Sequence, residues 1–157
     1  MRVRRSTELP CDADRAWEEL QKPGLLQHVS RPLLSFRFPG GRPERWTVGE
    51  HAVSLRLLGV IPLGRQTVGI EVPPSERGEF RLRDNGRGRL VRRWDHLVVI
   101  EPLGPGRCRY TDDVEIEAVV LTPVVTAFAW VFYRHRQRRW KRLVEEGFEY
   151  GDGARGG

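Results

Sequence analysis

The sequence predicts an α+β domain: a curved antiparallel sheet of six to seven strands, two short helices after the first strand, and a long C-terminal helix across the concave face. Three observations carry this. The chain has 157 residues, the size of one domain with one core. Short runs of alternating character, separated by glycine-, proline- and aspartate-rich turns, fill its middle. Near residue 122 the apolar period changes from two to about 3.6 and stays there almost to the end.

The elements follow in order. Residues 2–10 alternate, with Val3, Arg5, Thr7 and Leu9 on one side before Pro10, and form a strand. Asp12 and Asp14 are N-cap candidates for a short helix carrying Ala16, Trp17 and Leu20. Pro23-Gly24 breaks that helix, and Pro23 opens a second one ending at Ser30. Six strand-like runs come next: 33–38, 51–58, 65–72, 79–83, 89–100 and 107–120. Their separators, PGGRPE, GVIPLG, PPSERG, DNGRG and PLGPG, read as hairpin turns or loops, so the strands form one antiparallel meander.

In the last element Val125, Phe128, Phe132, Arg136, Trp140, Leu143 and Val144 share one stripe of a helix spanning about 122–147. Thr122 is its cap and Pro123 lies in its first turn. The domain is placed at residues 1–148 and a flexible glycine-rich tail at 149–157.

Composition excludes several classes. The net charge is +6, but all basic residues except Lys22 and Lys141 are arginines. With 17 glycines and 11 prolines, that skew fits a GC-rich coding genome better than selection for phosphate binding. Cys11 and Cys108 stand far apart without a CxxC motif or neighbouring His ligands. No metal site, no cofactor and a reducing cytoplasm are therefore expected. The N-terminus lacks the apolar segment of a signal peptide. Residues 118–133 form sixteen positions without a charge. A spanning helix needs roughly 20 apolar residues, and Thr122-Pro123 interrupts this stretch, which reads as a strand end, a turn and a buried helix start.

A strongly curved sheet cannot fill its concave side with its own side chains. A helix laid across it covers the opening and leaves an apolar pocket between the two layers. On strand 89–100 the even positions Leu90, Trp94, His96, Val98 and Ile100 form the more apolar face. On the next strand Cys108, Tyr110, Asp112, Val114, Ile116 and Ala118 do the same. A hairpin centred near Gly104 sets His96 directly opposite Asp112, both inward beside Trp94 and Tyr110. That pair either anchors a ligand's carbonyl or hydroxyl, moves a proton, or merely satisfies two polar groups. Trp46, Trp94, Tyr110, Phe128, Phe132 and Trp140 wall a cavity or fill a core. His28, His51 and His135 read as satisfied or surface histidines, and no catalytic triad, phosphate loop or metal-ligand spacing occurs. Residues 134–142 hold six basic side chains plus His135, a solvated face near the helix C-terminus where cations suit the dipole. Arg136 falls inside the apolar stripe, and it must snorkel out, pair with a carboxylate or meet an anionic ligand group.

The opening strand followed by PCDADRAWEEL and PGLLQHVS, the segment RRWDHLVVIEPLGPGRCRYTDDVEIE, and the terminal LTPVVTAFAWVFYRHRQRRWKRL resemble the START-like (SRPBCC) helix-grip superfamily. Within it the chain looks like the bacterial polyketide cyclase/dehydrase and lipid-transport branch. The resemblance covers about residues 3–148 and implies that the first and last strands pair, bringing reduced Cys11 and Cys108 together. It implies carriage of a small hydrophobic or amphipathic lipid-, sterol- or polyketide-like molecule, with no invariant catalytic set to transfer.

Strand parity and helical spacing put Leu55, Leu57, Trp94, His96, Tyr110, Asp112, Phe128, Phe132 and Arg136 on the ligand. Binding without chemistry is the leading reading. The first alternative is an aromatase/cyclase-type enzyme using His96, Asp112 and Tyr110 as acid–base groups. The second is a basic module docking through residues 134–142 on a membrane or nucleic acid. A stable nucleic-acid complex is not expected, transient contact with an anionic membrane is left open, and the oligomeric state is not legible.

Overall fold

A computed structural model describes residues 1–75 and 77–150. The chain runs β1 (Arg2–Leu9), α1 (Ala13–Leu20), α2 (Pro23–Ser30), β2 (Leu34–Arg37), β3 (Gly49–Leu57), β4 (Ile61–Glu71), β5 (Phe80–Gly88), β6 (Val91–Gly104), β7 (Arg107–Ala118) and α3 (Thr122–Glu145). The seven strands form one antiparallel sheet in the order β1-β7-β6-β5-β4-β3-β2. From β2 to β7 consecutive strands are neighbours, and β1 pairs with β7 through the register Leu9↔Cys108. Cys11, two residues past that pair, meets Cys108 thiol to thiol, and both are free.

Helix α1 begins just after the extended run of β1, and α2 follows α1 after two residues. Asp12 occupies the N-cap of α1, but its carboxylate does not cap the helix. It accepts a hydrogen bond from the Gly106 amide at 2.7 Å, tying α1 to the β6–β7 turn. Pro23 opens α2, where its missing N–H costs nothing. Helix α3 packs on β1 and β7 and on α2. Its stripe of Phe132, Arg136, Trp140, Leu143 and Val144 is buried, with Ala129 and Tyr133 beside it. Trp140 is fully buried and meets Tyr110 edge-on at 6.0 Å.

Three turn assignments change. Ile61–Leu63, part of the presumed GVIPLG separator, already belongs to β4, whose Leu63 is the extra residue where the pairing steps from Leu55↔Gly64 to Arg56↔Pro62. The DNGRG segment is the end of β5, not a turn. Its glycines answer a packing need: a Cβ on Gly69 of β4 would stand 2.9 Å from the Asn85 carbonyl oxygen, and one on Gly86 3.2 Å from that of Thr67. Backbones approach so closely there that side chains are excluded. Finally β6 runs on through Gly104, and the turn is Pro105-Gly106. His96 therefore pairs with Val114, and Val98 with Asp112, two residues off the expected register. A slip of two keeps every side chain on its predicted face.

The start of α3 also departs from expectation. Leu121, not Thr122, is the N-cap, with φ 58°, and the helix ends at Glu145. The segment is not buried: Val119, Val120, Leu121 and Val124 are exposed. No helix among the described residues is long and apolar enough to cross a membrane. At the other end, Tyr150 hydrogen-bonds the buried Glu19 carboxylate and meets His28 edge-on at 5.4 Å, so the packed chain extends past 148. The predicted tail from 151 to 157 lies outside the described residues.

Candidate functional site

Between the sheet and the first half of α3 lies a cavity of about 390 Å³, within the range of small-molecule sites. Its walls are apolar, built from Leu34 and Phe36 of β2, Val53, Leu55 and Leu57 of β3, Leu63 and Val68 of β4, and Val125, Phe128 and Phe132 of α3. Side chains of strands alternate in direction, which brings Val53, Leu55 and Leu57 to one face. Phe128 and Phe132, one helical turn apart, stack at 6.0 Å. The mouth is bounded by Leu90 and Val124, both exposed.

One end of the cavity is polar. Asp84, His96, Tyr133 and Arg136 line it, with Trp94 beside them. The Trp94 indole N–H donates to the Tyr133 hydroxyl at 3.1 Å. His96 stands 5.0 Å from the Tyr133 ring. Behind this layer a buried network fixes the imidazole. The Asp112 carboxylate accepts from His96 Nε2 at 2.8 Å, from Gln137 Nε2 at 2.8 Å and from the Tyr110 hydroxyl at 3.0 Å. Arg136 Nη2 donates to the Tyr110 oxygen at 3.1 Å. Its Nε is buried without a partner among the described residues.

The electrostatics follow from burial. Burial pushes the Asp112 carboxyl upward, but the Arg136 charge and the bonds from His96 and Gln137 outweigh it and hold the group below the usual carboxylate range. Burial likewise lowers the His96 pKa, against the pull of Asp112. An ionised carboxylate only accepts, so neutral His96 carries its proton on Nε2 and leaves Nδ1 as the acceptor on a ring that lines the cavity. Asp84 differs. Burial raises its pKa to about 7, although the Gly69 amide donates to Oδ1 at 2.9 Å. Protein surrounds this carboxyl, and the surface it keeps accessible faces the cavity.

Of the residues assigned to the ligand from sequence, Leu55, Leu57, Trp94, His96, Phe128, Phe132 and Arg136 line the cavity. Tyr110 and Asp112 do not. Helix α3 sits down on β1 and β7, so inward side chains of β7 are covered by Arg136, Gln137 and Trp140, and the space opens over β2–β6 instead. Among the other aromatics, Trp140 is core and Trp46 borders a small neighbouring void. His51 bonds the Thr47 carbonyl and His135 that of Arg31. Sequence reading missed Asp84 and Tyr133. Asp84 was hidden inside an apparent turn, although it shares parity with the buried Leu82 once β5 is extended. Tyr133 lies three residues before Arg136, on a wider stripe than the one drawn. Among the described residues no cluster of His, Cys, Asp or Glu is arranged to hold a metal.

A family model described as a domain of unknown function, DUF8410, matches residues 7–144. The chain belongs to that family. No curated protein matches this DUF8410 domain. Among solved structures, the Zhui aromatase/cyclase from a Streptomyces species superposes with a TM-score of 0.70 at 11% identity, covering 97% of this chain and 98% of that one. A START superfamily protein from Mycobacterium smegmatis gives 0.61 at 16%, covering 92% and 97%. Norcoclaurine synthase from Thalictrum flavum, in complex with dopamine and hydroxybenzaldehyde, gives 0.61 at 15%, covering 96% and 89%. The domain thus has the START-like helix-grip fold.

Proposed function

We propose that this DUF8410 domain binds and carries a small, largely apolar molecule bearing a hydroxyl or carbonyl oxygen at one end. The carrying observation is the cavity itself: lined mainly by apolar side chains, with Gln66 and Thr67 on its β4 wall, and bounded by Asp84, His96 and Arg136. An apolar body gains about 25 cal/mol per Å² removed from water. The oxygen end meets an acceptor at His96 Nδ1, a donor cation at Arg136, and at Asp84 a carboxyl that either donates or accepts near neutral pH. Arg136 and Asp112 offset each other, so a neutral polar head suits this end better than a second full charge. The Zhui aromatase/cyclase and the dopamine-containing norcoclaurine synthase share the fold and support a ring-bearing ligand.

The cyclase-type alternative is favoured by one observation, the Asp84–His96 pair at the cavity's polar end. There the groups touching substrate would be Asp84 and His96, with Asp112 and Tyr110 positioning the imidazole.

Native mass spectrometry of the freshly purified chain, followed by titration with an apolar fluorescent probe, tests the binding reading. Leu55→Glu places a charge in the wall and should reduce probe affinity more than tenfold with the far-UV spectrum unchanged. Unaltered affinity would mean that the probe sits elsewhere and would refute the cavity as the site. His96→Ala separates the alternatives: a carrier retains most of its affinity, whereas an acid–base enzyme binds but no longer turns over.

A further inference from the structure

Exposed apolar side chains stand on three adjacent connections at one end of the sheet, against Val48 and Val72 at the other end and Trp130 and Val131 on α3. Leu58 and Val60 occupy the β3–β4 turn beside Ile61, the first residue of β4, Leu90 the β5–β6 turn, and Val120 and Leu121 the β7–α3 junction. Alternation of antiparallel strands puts these three connections at the same end, and a Val119 N–H to Leu90 carbonyl bond of 3.1 Å joins two of them. Val60 is 74% exposed, Val120 68% and Leu121 65%. Leu58 and Leu121 hold φ of 51° and 58°, a left-handed conformation that costs leucine energy and that ordinary turn residues would avoid. The cavity mouth, at Leu90 and Val124, opens at this same end.

A basic groove adjoins the apolar tips. Arg31, Arg37, Arg56 and Arg65 line it together with Leu58 and Gly59, and no acidic side chain among the described residues does. Arg56 and Arg65 are exposed.

We infer that this end of the molecule docks on an anionic membrane surface, with the apolar turns entering the lipid and the arginine groove meeting the headgroups. Separate knobs on three turns suit a deformable bilayer better than a rigid partner, and apolar insertion beside basic side chains is how proteins lie on such surfaces. A second copy is a poorer occupant, because a two-fold contact through this end would bring two arginine grooves together. The basic run at 134–142 is a separate surface: Arg142 lies about 30 Å along α3 from its start, so docking there would turn the mouth away. Docked by its turns, the domain holds the cavity mouth against the membrane. That last consequence rests on the binding reading above, whereas the docking itself does not.

Flotation of the full chain with vesicles of phosphatidylcholine, or of equimolar phosphatidylcholine and phosphatidylglycerol, tests it. Wild type should float with the anionic vesicles, not with the neutral ones, and should release at high salt. Leu58→Asn and Leu121→Asn remove the apolar tips while keeping a residue suited to the left-handed conformation. Each should lower the partition coefficient about tenfold and the pair about a hundredfold, given the area each leucine buries. Arg56→Gln with Arg65→Gln should erase the preference for anionic lipid. Arg138→Gln with Lys141→Gln, on the outward face of α3, should change little. The inference is overturned if wild type does not float, if the double leucine variant floats like wild type, or if the α3 variant abolishes binding. It is equally overturned if light scattering shows a dimer that the leucine variants dissolve without any vesicle binding. Probe titration on the same samples reports cavity binding separately, so failure of one proposal is distinguishable from failure of the other.

Discussion

Replacing Asp84 by asparagine isolates the energetic cost of keeping a carboxyl at the polar end of the cavity. Burial raises this group from an ordinary 3.8 to about 7. A raised carboxyl pKa means that the folded protein retains a proton the unfolded chain has released, so stability falls as pH rises through that window. At about 1.36 kcal/mol per pH unit of displacement, the cost is roughly 2 kcal/mol near pH 5 and roughly 4 kcal/mol near pH 8. Asparagine keeps the oxygen that accepts the Gly69 amide and carries no charge. Urea unfolding of wild type and Asp84→Asn across about pH 5 to 8 should therefore show the variant gaining on wild type by roughly 2 kcal/mol over the range. Other titrating groups, including His96 and Asp112, are common to both proteins and largely cancel in the difference. A stability difference that stays flat with pH would show that Asp84 ionises normally and that the cavity end is far wetter than its surroundings imply. The same measurement has a functional face: a ligand accepting from the neutral carboxyl should bind more weakly above about pH 7 in wild type, and independently of pH in the variant.

The remaining expectations are these. Asp112→Ala removes the acceptor of three hydrogen bonds and leaves Arg136 without its offsetting charge, which should cost about 3–5 kcal/mol; a loss under about 1 kcal/mol in urea unfolding would show the network to be slack. Phe132→Ala enlarges the cavity and strips its stacked wall, so stability should fall by about 3–5 kcal/mol while probe affinity also drops. Probe affinity that rises in the enlarged cavity would argue that Phe132 fills space rather than holds ligand. Glu19→Ala frees Tyr150 from its buried partner, and limited proteolysis near the C-terminus should accelerate; an unchanged cleavage rate would mean that Tyr150 is held by packing alone.

Much of the site was legible because it follows from parity. Trp94 and His96 had to share a face, and a register error of two residues left them there. The His96–Asp112 contact survived the same error because diagonal neighbours on one face lie within side-chain reach. Asp84 was not legible, because asparagine and glycine beside it imitate a turn. Glycine is chosen there for close backbone approach between β4 and β5, and that depends on a neighbour remote in sequence. The apolar junction at 119–124 misled for a related reason: apolar residues without charge read as buried, and the sequence carries no mark of which surface covers them.

By itself the sequence determined the order of elements, the change of period at α3, the inward faces of β6 and β7, and the placement of Phe128, Phe132 and Arg136 on one helical stripe. These are local properties, set by alternation and helical repeat, and they tolerate errors at turns. Only the tertiary structure decided how far α3 lies from each strand. Its backbone rests on β1 and β7, reaches β6 through the Tyr133 side chain and stands away from β2–β5, which turns Tyr110 and Asp112 into a buried support and leaves Asp84, His96 and Arg136 facing a cavity. That division depends on the curvature of the whole sheet, a sum over contacts between residues far apart in the chain, which no window of sequence contains.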